Sequence, residues 1–241
     1  MTDPLYLGDA SVTTFEATVE RRLDDRVVLD RTHFYPEGGG QPADQGTLTD
    51  GDTEWPVTDV QKRDTIYHHV EGGDLPAEGT TVTGHLDRER RHGHMRHHTT
   101  QHLLSAHLLT EYGARTTGNQ VYADRARIDV AHDRFEEADL SAIESRLNDL
   151  VADALDVRWF EMDRERAEAE LDTDRTRIDL LPDSITELRI VEIGPEDDPY
   201  DRTACAGTHV TSTAALGEVV VTGRETKGSD EERLTFELRD D

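Results

Sequence analysis

The sequence predicts an α+β protein: a small N-terminal β-barrel-like domain followed by an α/β domain with an antiparallel or mixed sheet and helices. Three observations carry that expectation. Residues 11–86 hold short, alternating apolar stretches punctuated by Gly, Pro and Asp. The composition changes abruptly in the Arg- and His-rich stretch 85–94, which places a domain boundary near residue 88 and divides the chain into 1–88 and 89–241. Beyond it, helical periods alternate with strand-like runs.

In the first part, alternation shows at Thr13, Phe15, Ala17 and Val19, then at Val27, Val28 and Leu29. Further strands are predicted at 55–60, 66–70 and 81–86. Several strands of this length with turn residues between them suit a small closed sheet. In the second part, a helix is predicted over 99–112 from Leu103, Leu104, Ala106 and Leu108, with Gly113 as its C-terminal stop. A second helix over 139–155 carries Leu140, Ile143, Leu147, Leu150, Val151 and Ala154 on one face. Strands are predicted at 121–130, 157–161, 188–194, 217–222 and 233–238, the last two joined through a turn at 227–230.

Composition narrows the class. The 241 residues include 53 acidic and 26 basic side chains, a formal charge of −27, and only 34% are hydrophobic. No apolar run approaches the roughly 20 residues that span a bilayer. The N-terminal segment has neither a basic patch nor an apolar core of a signal peptide, so a cytoplasmic protein without membrane contact is expected. The single cysteine, Cys205, cannot form an internal disulfide. Low hydrophobicity with high charge also marks disordered chains, but periodic apolar positions run through most of this one. The acids are spread along the chain and lysine is reduced to Lys62 and Lys227. That pattern resembles proteins adapted to molar salt, where screening shortens charge repulsion to a few ångströms.

Six of the twelve histidines lie between His92 and His107. His98 and His102, four apart on the predicted helix, can reach one metal ion, and His94 and His98 share that spacing. About a hundred residues later, Cys205-Ala-Gly-Thr-His209 forms a compact Cys-x-x-x-His loop. Each half is weak alone, since a histidine pair can be a solvated helix face and a cysteine a small buried apolar group. Together they supply three imidazoles and a thiolate, a donor set suited to tetrahedral Zn²⁺. A further feature, Glu37-Gly38-Gly39-Gly40-Gln41-Pro42, reads locally as a turn. It lacks the Gly-Lys-Ser/Thr and the strand-to-helix context of a phosphate-binding loop.

Arg31-Thr-His-Phe-Tyr-Pro-Glu-Gly-Gly-Gly-Gln-Pro, His98-Thr-Thr-Gln-His102-Leu-Leu and Cys205-Ala-Gly-Thr-His209-Val, in this order, resemble the editing half of alanyl-tRNA synthetase. More narrowly, they resemble its free-standing relatives, the alanyl-tRNA editing proteins AlaX of medium length, along nearly the whole chain. The resemblance implies an aminoacyl-tRNA deacylase acting on tRNA(Ala) wrongly charged with serine or glycine. It implies one Zn²⁺ per chain held by His98, His102, Cys205 and His209. It also implies substrate contacts from Gly38, Gly39, Gly40 and Gln41, and from Thr117 as reader of the serine hydroxyl, in an alignment that could slip by one residue to Thr116. Where the family commonly has two glycines after the cysteine, this chain has Ala206 then Gly207, which narrows the backbone there without removing a ligand. No general base is assigned. The competing readings are a zinc hydrolase of small esters or amides, and a non-catalytic RNA-binding module with structural zinc. A basic stretch of Arg88, Arg90, Arg91 and Arg96 marks the expected path of tRNA phosphates.

Overall fold

The structure is a computed structural model and describes every residue except 173–175, 177, 179–181, 183, 229 and 241. The chain forms two compact units, Met1–Met95 and Arg96–Asp241. Together they carry fifteen strands and three α-helices among the described residues, and all but one of the strand pairings are antiparallel. None of the described helices is long and apolar enough to cross a membrane.

Unit 1 is a closed six-stranded barrel. β1 (Asp3–Pro4) pairs in parallel with β4 (Arg31–Thr32) beside it. The barrel strands are β2 (Thr14–Arg22), β3 (Arg26–Leu29), β5 (Gly46–Thr49), β6 (Glu54–Lys62), β7 (Ile66–Val70) and β8 (Thr81–Leu86). They close in the order β2-β3-β7-β6-β5-β8. Alternation is visible in β2, where Phe15, Ala17 and Val19 turn inward and join Leu29, Leu48, Val57, Val60 and Val82 in the core. β5 is absent from the sequence-based expectation because Gly46-Thr-Leu-Thr offers one apolar residue, Leu48. Its glycine is required sterically: a Cβ at Gly46 would lie 2.0 Å from the His85 carbonyl oxygen across the β5–β8 pair.

One expectation for this unit is overturned. Arg91 is no phosphate contact: its side chain and that of Asp44 are each 1% exposed and form an ion pair. Its Nη1 also donates to the Ala10 carbonyl at 2.7 Å, and it donates further to that of His33. A buried guanidinium must be satisfied this fully or it destabilises the fold. Arg90 is only partly buried and donates to the Ala43 carbonyl at 3.2 Å, whereas Arg88 is exposed.

In unit 2, β9 (Arg115–Val121), β10 (Ala126–Ala131), β14 (Glu218–Thr226) and β15 (Glu232–Arg239) form an antiparallel sheet in the order β14-β15-β10-β9. A second antiparallel sheet takes β11 (Val157–Asp163), β12 (Glu187–Ile193) and β13 (Asp201–Ala204) in sequence order. α2 (Glu137–Ala152) turns Ile143, Leu147 and Leu150 inward and begins at a reciprocal cap between Glu136 and Asp139. α3 (Arg164–Glu170) starts on Asp163, whose carboxylate accepts from the backbone of Glu165 and Arg166. The predicted strand 121–130 is two strands: β9 and β10 meet at a turn closed by Tyr122 N–H to Arg125 C=O at 2.8 Å. Most of β9 is polar, so only its last residue, Val121, carried a strand signal. The turn expected at 227–230 does join β14 and β15, with Ser229 outside the described residues.

The helix predicted over 99–112 is the C-terminal half of α1 (Arg88–Tyr112), which is 25 residues long. Every residue from His97 to Leu108 is buried. Eight of these are polar, so a hydropathy pattern could not mark the first three turns as a core helix.

Candidate metal centre

A donor at i and another at i+4 project from the same helix face, and α1 uses this to bring His98 and His102 together with ring centroids 5.2 Å apart. Cys205 follows directly on β13, and the chain turns through Gly207 so that His209 comes back beside it. His209 then lies 4.4 Å from His98 and 4.7 Å from His102, centroid to centroid. One ligand atom from each of His98, His102, Cys205 and His209 lies within 4.8 Å of all the others. The Cys205 Sγ is 3.6 Å from His98 Nε2 and 3.4 Å from His209 Nε2. A tetrahedron with bonds of about 2.0–2.3 Å has edges of about 3.3–3.8 Å, so this quartet is already near the size that a zinc ion requires. His94 shares the helical spacing but is not part of the group.

The far side of the cluster fixes the rings. His102 Nδ1 is 2.8 Å from Asp201 Oδ2, and His209 Nδ1 is 3.1 Å from Thr99 Oγ1. Holding Nδ1 leaves Nε2 as the donor toward the centre, the usual arrangement behind metal-bound histidines. The Cys205 loop is fixed as well. Arg189 Nη1 donates to the carbonyls of Cys205 at 2.8 Å and Gly207 at 3.2 Å, and Gly207 N–H points at Sγ from 3.3 Å. Burial alone would raise the thiol, but the surrounding His98, His209 and His102 rings hold Cys205 well below the ordinary thiol range. Burial opposes charge on His102 too, yet the Cys205 thiolate and the Asp201 carboxylate raise it to about 9. The thiolate is the metal-binding form of Cys205, whereas the proton that this anionic surrounding favours on His102 is one a metal ion would have to displace, because only a neutral imidazole can ligate.

The remaining site candidates are placed as follows. Gly38 and Gln41 exchange two backbone hydrogen bonds, 3.1 and 2.9 Å, across Gly39 (φ 58°) and Gly40 (φ 81°). Two central residues with positive φ define a type I′ turn, which explains the consecutive glycines locally. Gln41 is fully buried at its foot, and the Tyr35 hydroxyl donates to the Gly38 carbonyl at 2.9 Å. Thr117 is exposed, is skipped where the β9–β10 register shifts, and donates to Glu231 Oε1 at 2.6 Å. Thr116 instead pairs with buried Val130, and its hydroxyl lies 2.7 Å from that of Ser105. Ser105 follows His102 by three residues and so continues the ligand face of α1. Arg96 is committed to the Leu216 carbonyl at 2.9 Å and to Asp240 at 2.6 Å. Sequence reasoning missed Thr99, Asp201, Arg189 and Ser105. Thr99 had a usable signal, standing next to a donor on a buried helix, whereas Asp201 was one acid among 53.

Residues 7–90 match the family model of class II (A) tRNA synthetases, and residues 188–235 match that of the threonyl and alanyl tRNA synthetase second additional domain. Over 248 aligned residues the chain is 38% identical to the alanyl-tRNA editing protein AlaX-M of Methanosarcina barkeri, covering 100% of both chains. The chain belongs to the AlaX-M family of alanyl-tRNA editing proteins. The AlaX-M protein of Methanosarcina mazei is 35% identical over 250 residues, covering 100% of this chain and 98% of that one. Alanine–tRNA ligase of Pyrococcus furiosus is 38% identical over 239 residues, which cover 98% of this chain but 26% of the ligase. The AlaX-M similarity therefore runs end to end through both units, whereas the ligase similarity is to one quarter of a larger enzyme.

Proposed function

We propose that the chain is a trans-editing deacylase that hydrolyses the ester between serine and tRNA(Ala), with glycine as a second amino acid accepted, and that it holds one Zn²⁺ at His98, His102, Cys205 and His209. The observation that carries the proposal is the convergence of four donors in two distant sequence segments, with two of the rings fixed from behind by Asp201 and Thr99. When bound, the ion would supply Lewis-acid polarisation or orientation of the aminoacyl group. Four protein donors match a closed coordination shell, so none of the four is assigned a proton-transfer role.

Aminoacyl esters are already activated, so the chain's own task is to place the carbonyl, admit water and reject alanine. The Thr116–Ser105 hydroxyl pair supports the last task better than Thr117. Each hydroxyl can donate once and accept twice, so a substrate hydroxyl can join the pair and an alanine methyl cannot. Thr117 has its hydroxyl committed to Glu231 on the exposed side. Gly38, Gly39, Gly40 and Gln41 belong to the proposal as a rigid substrate-contacting turn of the 1–88 domain, with 89–241 as the editing domain.

The test is removal and return of the metal. Chelator treatment should abolish hydrolysis of Ser-tRNA(Ala), and one equivalent of Zn²⁺ should restore it. Full activity in demonstrably zinc-free protein would remove the metal from the mechanism.

A further inference from the structure

Strand alternation sorts the β11-β12-β13 sheet into two faces. Phe160, Met162, Leu188, Ile190 and Ala204 pack into one apolar cluster with Ala167 of α3. The opposite face carries Asp201, Thr203 and Cys205, and through the register Trp159↔Val191↔Thr203 and Glu161↔Arg189 it also carries Trp159 and Arg189. The donor loop and Trp159 therefore share one sheet face, two strand spacings apart, about 10 Å. Trp159 is 41% exposed on edge strand β11, an unusual position for the largest apolar side chain. The Arg189 guanidinium lies 5.2 Å from its ring centroid, and the same guanidinium donates to the Cys205 and Gly207 carbonyls. A continuous path runs from the exposed indole through Arg189 to the donor loop.

Building on the deacylase reading, we propose that Trp159 is a stacking platform for the 3′-terminal base of the charged tRNA, with Arg189 as the brace between platform and donor loop. The ester to be cut sits on the ribose of that terminal nucleotide, so its base must rest within one sugar of the reacting carbonyl. An aromatic ring accepts any base by its π-face, and an adjacent guanidinium adds attraction for the base and for the phosphate on the 5′ side of that nucleotide. Such an anchor works without a basic surface, in a chain whose formal charge is −27. It also suits high salt, because stacking is not screened as phosphate contacts are.

The chain has two tryptophans, so Trp159→Phe leaves Trp55 alone. Titration with an uncharged RNA hairpin ending in CCA should quench fluorescence in the wild type and not in Trp159→Phe. Trp159→Ala should raise KM for Ser-tRNA(Ala) roughly ten-fold, with kcat and zinc content unchanged, and Trp159→Phe should recover most of the loss. An unchanged KM in Trp159→Ala, in a wild-type background that does hydrolyse the ester, would overturn the platform and leave the proposed function standing. A shift of Trp159→Ala in self-association with no shift in KM would likewise overturn it, marking a protein-contact patch. Should the wild type fail to hydrolyse the ester, the deacylase reading falls, and the RNA quenching decides the platform alone.

Discussion

His102 and Asp201, 99 residues apart in the chain, are joined by a contact of 2.8 Å between Nδ1 and Oδ2, with both side chains buried. A carboxylate behind an imidazole fixes the ring's tautomer and raises its basicity toward a metal. Asp201→Asn should therefore weaken zinc binding by about ten-fold to a hundred-fold while the donors remain. Competition with a chromophoric chelator measures this, and an unchanged affinity would reduce the contact to a packing detail.

Cys205→Ala removes the thiolate from a cluster that needs its charge. The variant should lose its zinc equivalent and its deacylase activity together. Metal analysis on the purified variant checks it; full zinc occupancy would mean the donor set is wrong.

Thr116→Val and Thr117→Val distinguish the two registers. Thr116 lies 2.7 Å from Ser105 on the ligand face of α1, whereas Thr117 donates to Glu231. Loss of a hydroxyl that reads the substrate hydroxyl costs discrimination, and such contacts can be worth factors of about 10⁴. Thr116→Val should narrow the gap between Ser-tRNA(Ala) and Ala-tRNA(Ala) hydrolysis, and Thr117→Val should not. The reverse pattern would restore Thr117 as the reader.

The donor residues were legible in the sequence because each half-site packs two donors into five residues, a spacing that helix and turn geometry convert directly into proximity. The barrel was legible where strands alternate, as in β2, and illegible in β5, which carries one apolar residue. α1 was half hidden for a different reason. Its first turns are buried through Arg91, His94, His97 and His98, and buried polar side chains leave no hydropathic period. The partners that fix the site, Asp201 and Arg189, come from separate strands and become visible only when pairing brings β12 beside β13.

Asp44 and Arg91 form a buried pair within the barrel unit, so removing one partner leaves a buried charge uncompensated. Asp44→Ala should cost about 3–5 kcal/mol of stability. Chemical denaturation measures it, and a loss below about 1 kcal/mol would mean that water already reaches the guanidinium.

His68 is fully buried, against the ring of Phe34 and 2.8 Å from Thr32 Oγ1, and burial lowers its pKa from 6.5 to about 4. Between those values the unfolded chain binds a proton that the folded chain refuses, so stability rises with pH across the window. The contribution is complete above about pH 6.5 and is lost as pH falls toward 4, about 3 kcal/mol in all. Urea midpoints at pH 7 and pH 4.5 should fall further apart in the wild type than in His68→Gln. Equal pH dependence would remove His68 as the cause.

The central claim, metal-supported removal of serine from tRNA(Ala), is tested most directly by one paired assay. Initial rates of hydrolysis of Ser-tRNA(Ala) and Ala-tRNA(Ala) are measured in high salt, with zinc content determined on the same preparation. The account predicts one zinc per chain and a rate on the seryl ester that exceeds the alanyl ester by orders of magnitude. Equal rates on both esters, or hydrolysis of neither by zinc-replete protein, would contradict it.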